Sequence, residues 1–321
     1  KVRARPRLPI RARPRAPHAR RAAAAAASSA FRSGSGHGGR RHCVAAEAMA
    51  GGTATLSDDE LAKCLSVALE VATAAGELIA KGWEGERNVE HKGDVDLVTE
   101  TDKACEELIL GRLRAEFPSH CFIGEEESAT GGTPELTDAP TWMVDPLDGT
   151  TNFVHRFPFS CVCVGLAVDK KAVVGVVHNP ILKETFHAQR GQGAFLNGER
   201  ISVSSTDTPK KALVATEIGT SRDVATMDNI MRRVRAVCES SRSLRCSGSC
   251  AMNMVGVACG RLDAFYEDGF GGPWDCAAAA VVVEEAGGAV SDIDGGDFDL
   301  MARRVLATNG KLRDSYGKML A

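Results

Sequence analysis

The sequence predicts a layered α/β protein, and three observations carry that prediction. An amphipathic helical period opens its globular part, a run of antiparallel strands fills the middle, and strands and helices alternate toward the C-terminus. With 321 residues, 44% of them hydrophobic and 25% charged, the chain can bury a large core unaided. A small disulfide-stapled module and a wholly disordered chain are both excluded.

Residues 1–48 stand apart. They hold 12 of the 39 basic residues and one acid, Glu47, for a charge of +11, while the other 273 residues carry −14. Rich in Arg, Pro and Ala and lacking apolar periodicity, this leader reads as disordered. It fits either a transit peptide or translated sequence upstream of Met49. The expectation is therefore a catalytic domain over 49–321, cytoplasmic if synthesis starts at Met49 and plastid if the leader is a transit peptide. Nucleic acid is not an expected partner, because Phe31 is the lone aromatic among these arginines.

Each element follows in order. Ser57-Asp58-Asp59-Glu60 is a capping box, and Leu61, Cys64, Leu65, Ala68, Leu69 and Ala72 follow at helical spacing, predicting a first helix to about Lys81. A second helix starts near Thr101, buries Cys105, Leu108, Ile109, Leu113 and Phe117, and stops at Pro118. Val162, Val164, Leu166 and Val168 then alternate, Asp169-Lys170-Lys171 turns, and Val173 to Val177 return as the second arm of a hairpin. Gly191-Gln192-Gly193 and Asn197-Gly198 mark further tight turns. Beyond them the pattern predicts strands over 213–216, near Leu244, and over 264–267 and 289–292. Helices are expected over 225–238, 249–259 and 275–286. No internal repeat is present.

Eleven cysteines without a Cys-x-x-Cys pair read as buried thiols in a reducing compartment rather than a zinc site, and the eight histidines form no pair at ligand spacing. No apolar run approaches the roughly 20 residues that span a bilayer, so no membrane partner is expected.

Chemistry concentrates in Trp142-Met-Val-Asp145-Pro-Leu147-Asp148-Gly149-Thr150-Thr151-Asn152. An apolar strand runs into two carboxylates three residues apart, followed by Gly149, Thr150 and Thr151, whose backbone N–H groups at a helix start suit a phosphate. Carboxylates beside an anion cradle repel the anion unless a divalent cation lies between, which points to Mg²⁺. Gly124-Glu125-Glu126-Glu127 and Trp274-Asp275 place two further acid sites at the ends of apolar segments. Taken singly, each has a bland explanation, a solvated glutamate run and a helix-capping aspartate. Together they are what a multi-metal phosphoester hydrolase needs.

These motifs resemble the inositol monophosphatase family of Mg²⁺-dependent, lithium-sensitive sugar phosphatases, over essentially all of 56–320. The resemblance implies an α-β-α-β-α sugar-phosphatase fold with a large antiparallel sheet and a second, mixed one. It implies two to three Mg²⁺ ions held by Glu125, Asp145, the carbonyl of Leu147, Asp148 and Asp275. Direct attack by a metal-activated water would be aided by Thr150 with Asp102, and Lys92 would reach toward the metal waters. Ser249, Cys250 and Glu267 resemble hydroxyl-binding positions, beside the phosphate cradle of Gly149, Thr150 and Thr151. The stretches 89–102 and 243–250 are similar to the plant branch, which acts on L-galactose 1-phosphate and myo-inositol 1-phosphate, linking it to ascorbate and inositol biosynthesis. A homodimer is implied as well. The alternatives are a 3'-nucleotide or fructose bisphosphatase of the same superfamily, or a non-catalytic metal- and phosphate-binding regulator.

Overall fold

The computed structural model describes residues 56–85, 89–91 and 97–321. The expected leader and Lys92 lie outside the described residues. The capping box closes as expected, with Ser57 N donating to Glu60 Oε2 at 2.8 Å, and starts helix α1 (Asp58–Glu84), which runs three residues past Lys81. A short antiparallel ribbon, β1 (Val89–His91) with β2 (Leu97–Thr99), leads into α2 (Glu100–Glu116). Cys105, Ile109 and Leu113 are buried there as the period predicts. Glu106 and Leu110 share that side, which turns Leu108 to the margin.

The middle of the chain builds a seven-stranded sheet: β3 (Cys121–Gly124), β4 (Thr141–Asp148), β5 (Cys161–Val168), β6 (Lys171–Asn179), β7 (Glu184–Gln189), β8 (Gly193–Leu196) and β9 (Glu199–Arg200). They lie in chain order. Only β3 and β4 pair in parallel, joined through helix α3 (Glu125–Gly131), while α4 (Thr150–His155) follows β4. Asn197 and Gly198 both adopt positive φ in the turn between β8 and β9. The alternation read in β5 marks no solvent face, since all eight of its residues are buried. Helices cover both sides of that strand.

The C-terminal part supplies β10 (Leu213–Thr216), α5 (Val224–Ser240), β11 (Ser243–Arg245), α6 (Cys250–Ala258), β12 (Ala264–Asp268), α7 (Pro273–Glu285), β13 (Ala289–Ser291), β14 (Arg304–Thr308) and α8 (Arg313–Leu320). Its sheet runs β11-β10-β12-β14-β13, parallel over the first three strands and antiparallel over the rest. Five layers result. Helices α1 and α2 cover one face of the large sheet, α6 and α7 fill the space between the sheets, and α5 and α8 cover the far face of the small one. Helix α7 lies unusually deep. A Cβ at Gly165 would stand 2.8 Å from Ala278 N, and one at Gly175 would overlap the Ala278 carbonyl oxygen. Among the described residues no helix is long and apolar enough to cross a membrane.

Candidate active site

Strand β4 delivers the two aspartates through an irregularity. Asp145 stands opposite Cys163 and Asp148 opposite Cys161, so β4 carries one extra residue across Pro146 and Leu147. The kink is fixed by Leu147 N, which donates to Asp145 Oδ1 at 2.9 Å. Asp148 Oδ2 accepts from Ser249 Oγ at 2.6 Å and Ala251 N at 2.8 Å, tying β4 to the start of α6. Gly149 then adopts φ 85°, and a Cβ there would sit 2.9 Å from the Phe159 carbonyl, so the turn into α4 is one that glycine alone makes without strain.

The Thr150 hydroxyl lies 3.1 Å from both Asp102 Oδ1 and the Leu147 carbonyl. The other Asp102 oxygen accepts from Thr99 N at 2.8 Å and Thr99 Oγ1 at 2.5 Å, completing the capping box of α2. Asp102 is thus a helix-start acid and a partner of Thr150 at once. Its burial raises the carboxyl above the usual aspartate range, against the lowering effect of the Thr99 bonds.

Asp275 enters from α7, where Gly272 is the N-cap and Pro273 the first residue. It is not the cap, as a sequence reading would have it. Standing third in the helix, it accepts from Gly271 N at 2.8 Å. Glu125 is the first residue of α3, and its charge raises the carboxyls of both Asp145 and Asp275. The two following glutamates differ: Glu127 forms a double hydrogen bond to Arg114, at 2.8 and 2.7 Å, and Glu126 acts electrostatically on Asp102. Of the triplet, Glu125 is the member whose charge bears on Asp145 and Asp275.

Asp145, Asp148, Asp275 and Glu267 are 2%, 8%, 8% and 5% exposed. Burial, then mutual repulsion, pushes Asp145, Asp275 and Glu267 well above the usual range. Burial takes Asp148 to about 6, against its bonds to Ser249 and Ala251. Among the described residues no ion pair engages any of the four. Glu267 Oε2 is buried without a hydrogen-bond partner. Converging buried carboxylates with no cationic side chain paired to them among the described residues are a hard, oxygen-only donor set, and Mg²⁺ fits it.

Residues 60–320 match the inositol monophosphatase family. The chain belongs to that family. It is 61% identical over 253 residues to inositol monophosphatase 2 of Solanum lycopersicum, covering 78% of this chain and 96% of the relative. Human inositol monophosphatase 1 is 43% identical over 256 residues, covering 79% and 92%. Among solved structures, the extragenic suppressor protein suhB of Bartonella henselae superposes with a TM-score of 0.73 at 32% identity, over 80% of this chain and 98% of that one. The inositol monophosphatase of Anabaena (Nostoc) sp. PCC 7120 gives 0.69 at 33%, over 81% and 96%.

In this chain the expected hydroxyl-binding residues divide. Ser249 spends its hydroxyl on Asp148 while accepting from Met252 N at 3.2 Å as the N-cap of α6. Cys250 is buried at the first position of α6, where Glu267 bears on its thiol. Thr151 is exposed on α4.

Three clamps were not anticipated from the sequence. Glu106 is 5% exposed, and its two oxygens accept from Glu126 N at 2.8 Å and Glu127 N at 3.0 Å, so it pins the start of α3. Glu217 Oε1 accepts from Ser247 N, Gly248 N and Asn253 Nδ2 at 2.7, 2.7 and 2.8 Å, fixing the loop that precedes Ser249. Asn152 Nδ2 donates to the carbonyls of Phe159, Ser247 and Gly248 at 2.7, 2.8 and 3.1 Å, tying α4 to that same loop. The one sequence signal was Asn152 itself, which ends the acidic motif.

Proposed function

We propose that this member of the inositol monophosphatase family is a Mg²⁺-dependent phosphomonoesterase acting on myo-inositol 1-phosphate, L-galactose 1-phosphate or both, by direct attack of water. The observation that carries the reading is the Thr150–Asp102 pair set beside the cluster of Asp145, Asp148 and Asp275. Glu125, Asp145, the Leu147 carbonyl, Asp148 and Asp275 would hold the ions. Bound Mg²⁺ supplies the positive charge that acidifies water and stabilises a leaving alkoxide. The rest falls to the chain. A water at Thr150 passes its proton to that hydroxyl, whose own proton moves to Asp102, a base strengthened by burial. A new P–O bond forms in line as the ester P–O bond breaks, and the sugar oxygen leaves with the electron pair and takes a proton from solvent. The backbone of Gly149, Thr150 and Thr151 receives the phosphate oxygens. The unpartnered Glu267 Oε2 offers an acceptor to a polyol hydroxyl, which supports a sugar or inositol over a simple ester.

The test measures phosphate released from myo-inositol 1-phosphate, L-galactose 1-phosphate, a fructose bisphosphate and a 3'-phosphonucleotide, with and without Mg²⁺. Turnover of the first two, dependent on Mg²⁺ and inhibited by Li⁺, is the expected result. Full turnover in excess chelator overturns the metal role, and preference for a bisphosphate transfers the protein to its superfamily alternative. Light scattering of the eluted protein tests the homodimer proposed with it.

A further inference from the structure

A second donor set lies beneath the carboxylates. Cys161 and Cys163 are two residues apart on β5, so their side chains share one face of the strand. Both are 0% exposed free thiols. Strand register sets each beside an aspartate of β4, Cys161 opposite Asp148 and Cys163 opposite Asp145. Cys161 Sγ lies 3.7 Å from Cys163 Sγ, 3.9 Å from Asp148 Oδ2 and 4.0 Å from Ser249 Oγ. One ligand atom each from Asp148, Cys161 and Cys163 falls within 4.8 Å of the other two.

Those separations suit a tetrahedral ion. With Zn–S bonds of about 2.3 Å, the sulfur–sulfur edge of a tetrahedron is about 3.8 Å, so the thiol pair stands at coordinating distance with no backbone shift. The set also differs in kind from the one above it. Two sulfurs and one oxygen select a borderline or soft cation, whereas the oxygen-only cluster selects a hard one. Spacing alone shows none of this, because the third donor comes from a different strand.

We infer that Cys161, Cys163 and Asp148 form a metal site for Zn²⁺ and softer divalent ions, which shares Asp148 with the Mg²⁺ cluster and inhibits by drawing that carboxylate inward. On binding, two S–H bonds are replaced by two metal–sulfur bonds, both protons pass to solvent, and no electron is transferred. Ser249 Oγ is the nearest further oxygen to Cys161. Entry is slow, because both thiols are sealed and of the three donors only Asp148, 8% exposed, meets solvent. An ion must wait for local opening. The inhibition rests on the phosphatase reading, but the binding does not.

The first measurement therefore needs neither substrate nor Mg²⁺. Full-length protein is titrated with Cd²⁺, whose bonds to thiolates absorb in the ultraviolet. A band that saturates is expected, and the Cys161→Ser/Cys163→Ser double variant should lose the share due to these two thiols. The second measurement is phosphate release after preincubation with Zn²⁺, each variant being compared with its own metal-free control. The parent should show slow-onset inhibition, and the double variant should tolerate about tenfold more Zn²⁺. An unchanged band together with unchanged Zn²⁺ sensitivity overturns the site, leaving the effect to exposed Cys238 and Cys246 or to the carboxylates. Should the double variant not fold, cadmium-113 NMR of the parent decides. A resonance from a mixed sulfur–oxygen site, abolished by neither chelated Mg²⁺ nor phosphate, upholds the inference, and oxygen-only resonances defeat it. A protein that shows the band but hydrolyses nothing defeats the phosphatase reading and leaves the site standing.

Discussion

Thr150 and Asp148 sit two residues apart and should fail in different ways. Thr150→Ala removes the hydroxyl 3.1 Å from Asp102 but leaves the backbone turn and every carboxylate, so kcat is expected to fall by roughly two to three orders of magnitude with KM little changed. Added Mg²⁺ should not restore it. Asp148→Asn can still turn its amide oxygen to Ser249 Oγ and Ala251 N, but it then presents a neutral NH₂ group to the ion. Its defect should recede as Mg²⁺ is raised, and a Mg²⁺ titration of both variants separates the two. Glu106→Gln is a third case. One of its two acceptors becomes a donor facing the N–H of Glu126 or Glu127, the start of α3 loosens, and Glu125 with it. The Mg²⁺ concentration for half-maximal rate is expected to rise about tenfold, while the rate at saturation changes little. An unchanged Mg²⁺ requirement would show that α3 holds its place without that clamp.

Elements differ in how legibly they are written. Helix α1 and the β5–β6 hairpin carry their period and their end signals in consecutive residues, and the structure follows them closely. Strand β14 and helix α8 were not anticipated, and in α8 Gly317 interrupts the apolar pattern. Helix α3 was hidden because Glu125-Glu126-Glu127 has the composition of a solvated surface. What makes it a helix start is Glu106, distant in sequence. The same reason divides the site. Asp145 to Asn152 could be read because its chemistry is local, whereas Glu106 and Glu217 resemble any surface glutamate until folding buries the first and sets the second against the backbone of Ser247 and Gly248. Close packing is legible only in retrospect, in glycines. Gly175→Ala forces a methyl group against the Ala278 carbonyl and is expected to cost about 3 kcal/mol or more. Gly111→Ala, on α2 with nothing within 4 Å, should be neutral or gain up to about 1 kcal/mol. Denaturant melts of the two variants check the contrast.

At the scale of the whole molecule, the buried acids make stability depend on pH and metal together. Asp148 is raised from 3.8 to about 6 and Glu106 from 4.5 to about 7, chiefly by burial, so the folded chain holds protons that the unfolded chain releases. The stability this confers is complete below the unfolded values and is lost as pH rises through the folded ones. Metal-free protein should therefore melt at falling temperature between about pH 4.5 and about pH 7.5. Added Mg²⁺ should raise the melting temperature more at the upper end, where no proton competes for the carboxylates. A metal-free Tm that climbs across that window would contradict the burial of these groups. One packing feature reaches further still. Helix α7 is wedged between the two sheets with Ala278 pressed against Gly165 and Gly175, and Asp275 rides at its end. A helix seated backbone to backbone on the sheet leaves little room to shift toward β5 and β6, so under the proposed metal role the span from Asp275 to the aspartates of β4 would act as a ruler. Mg²⁺ sits about 2.1 Å from its oxygens and Ca²⁺ about 2.4 Å, and an inflexible span accepts one radius at the expense of the other. If the proposed metal role holds, the glycines beneath α7 would thereby take part in choosing the ion.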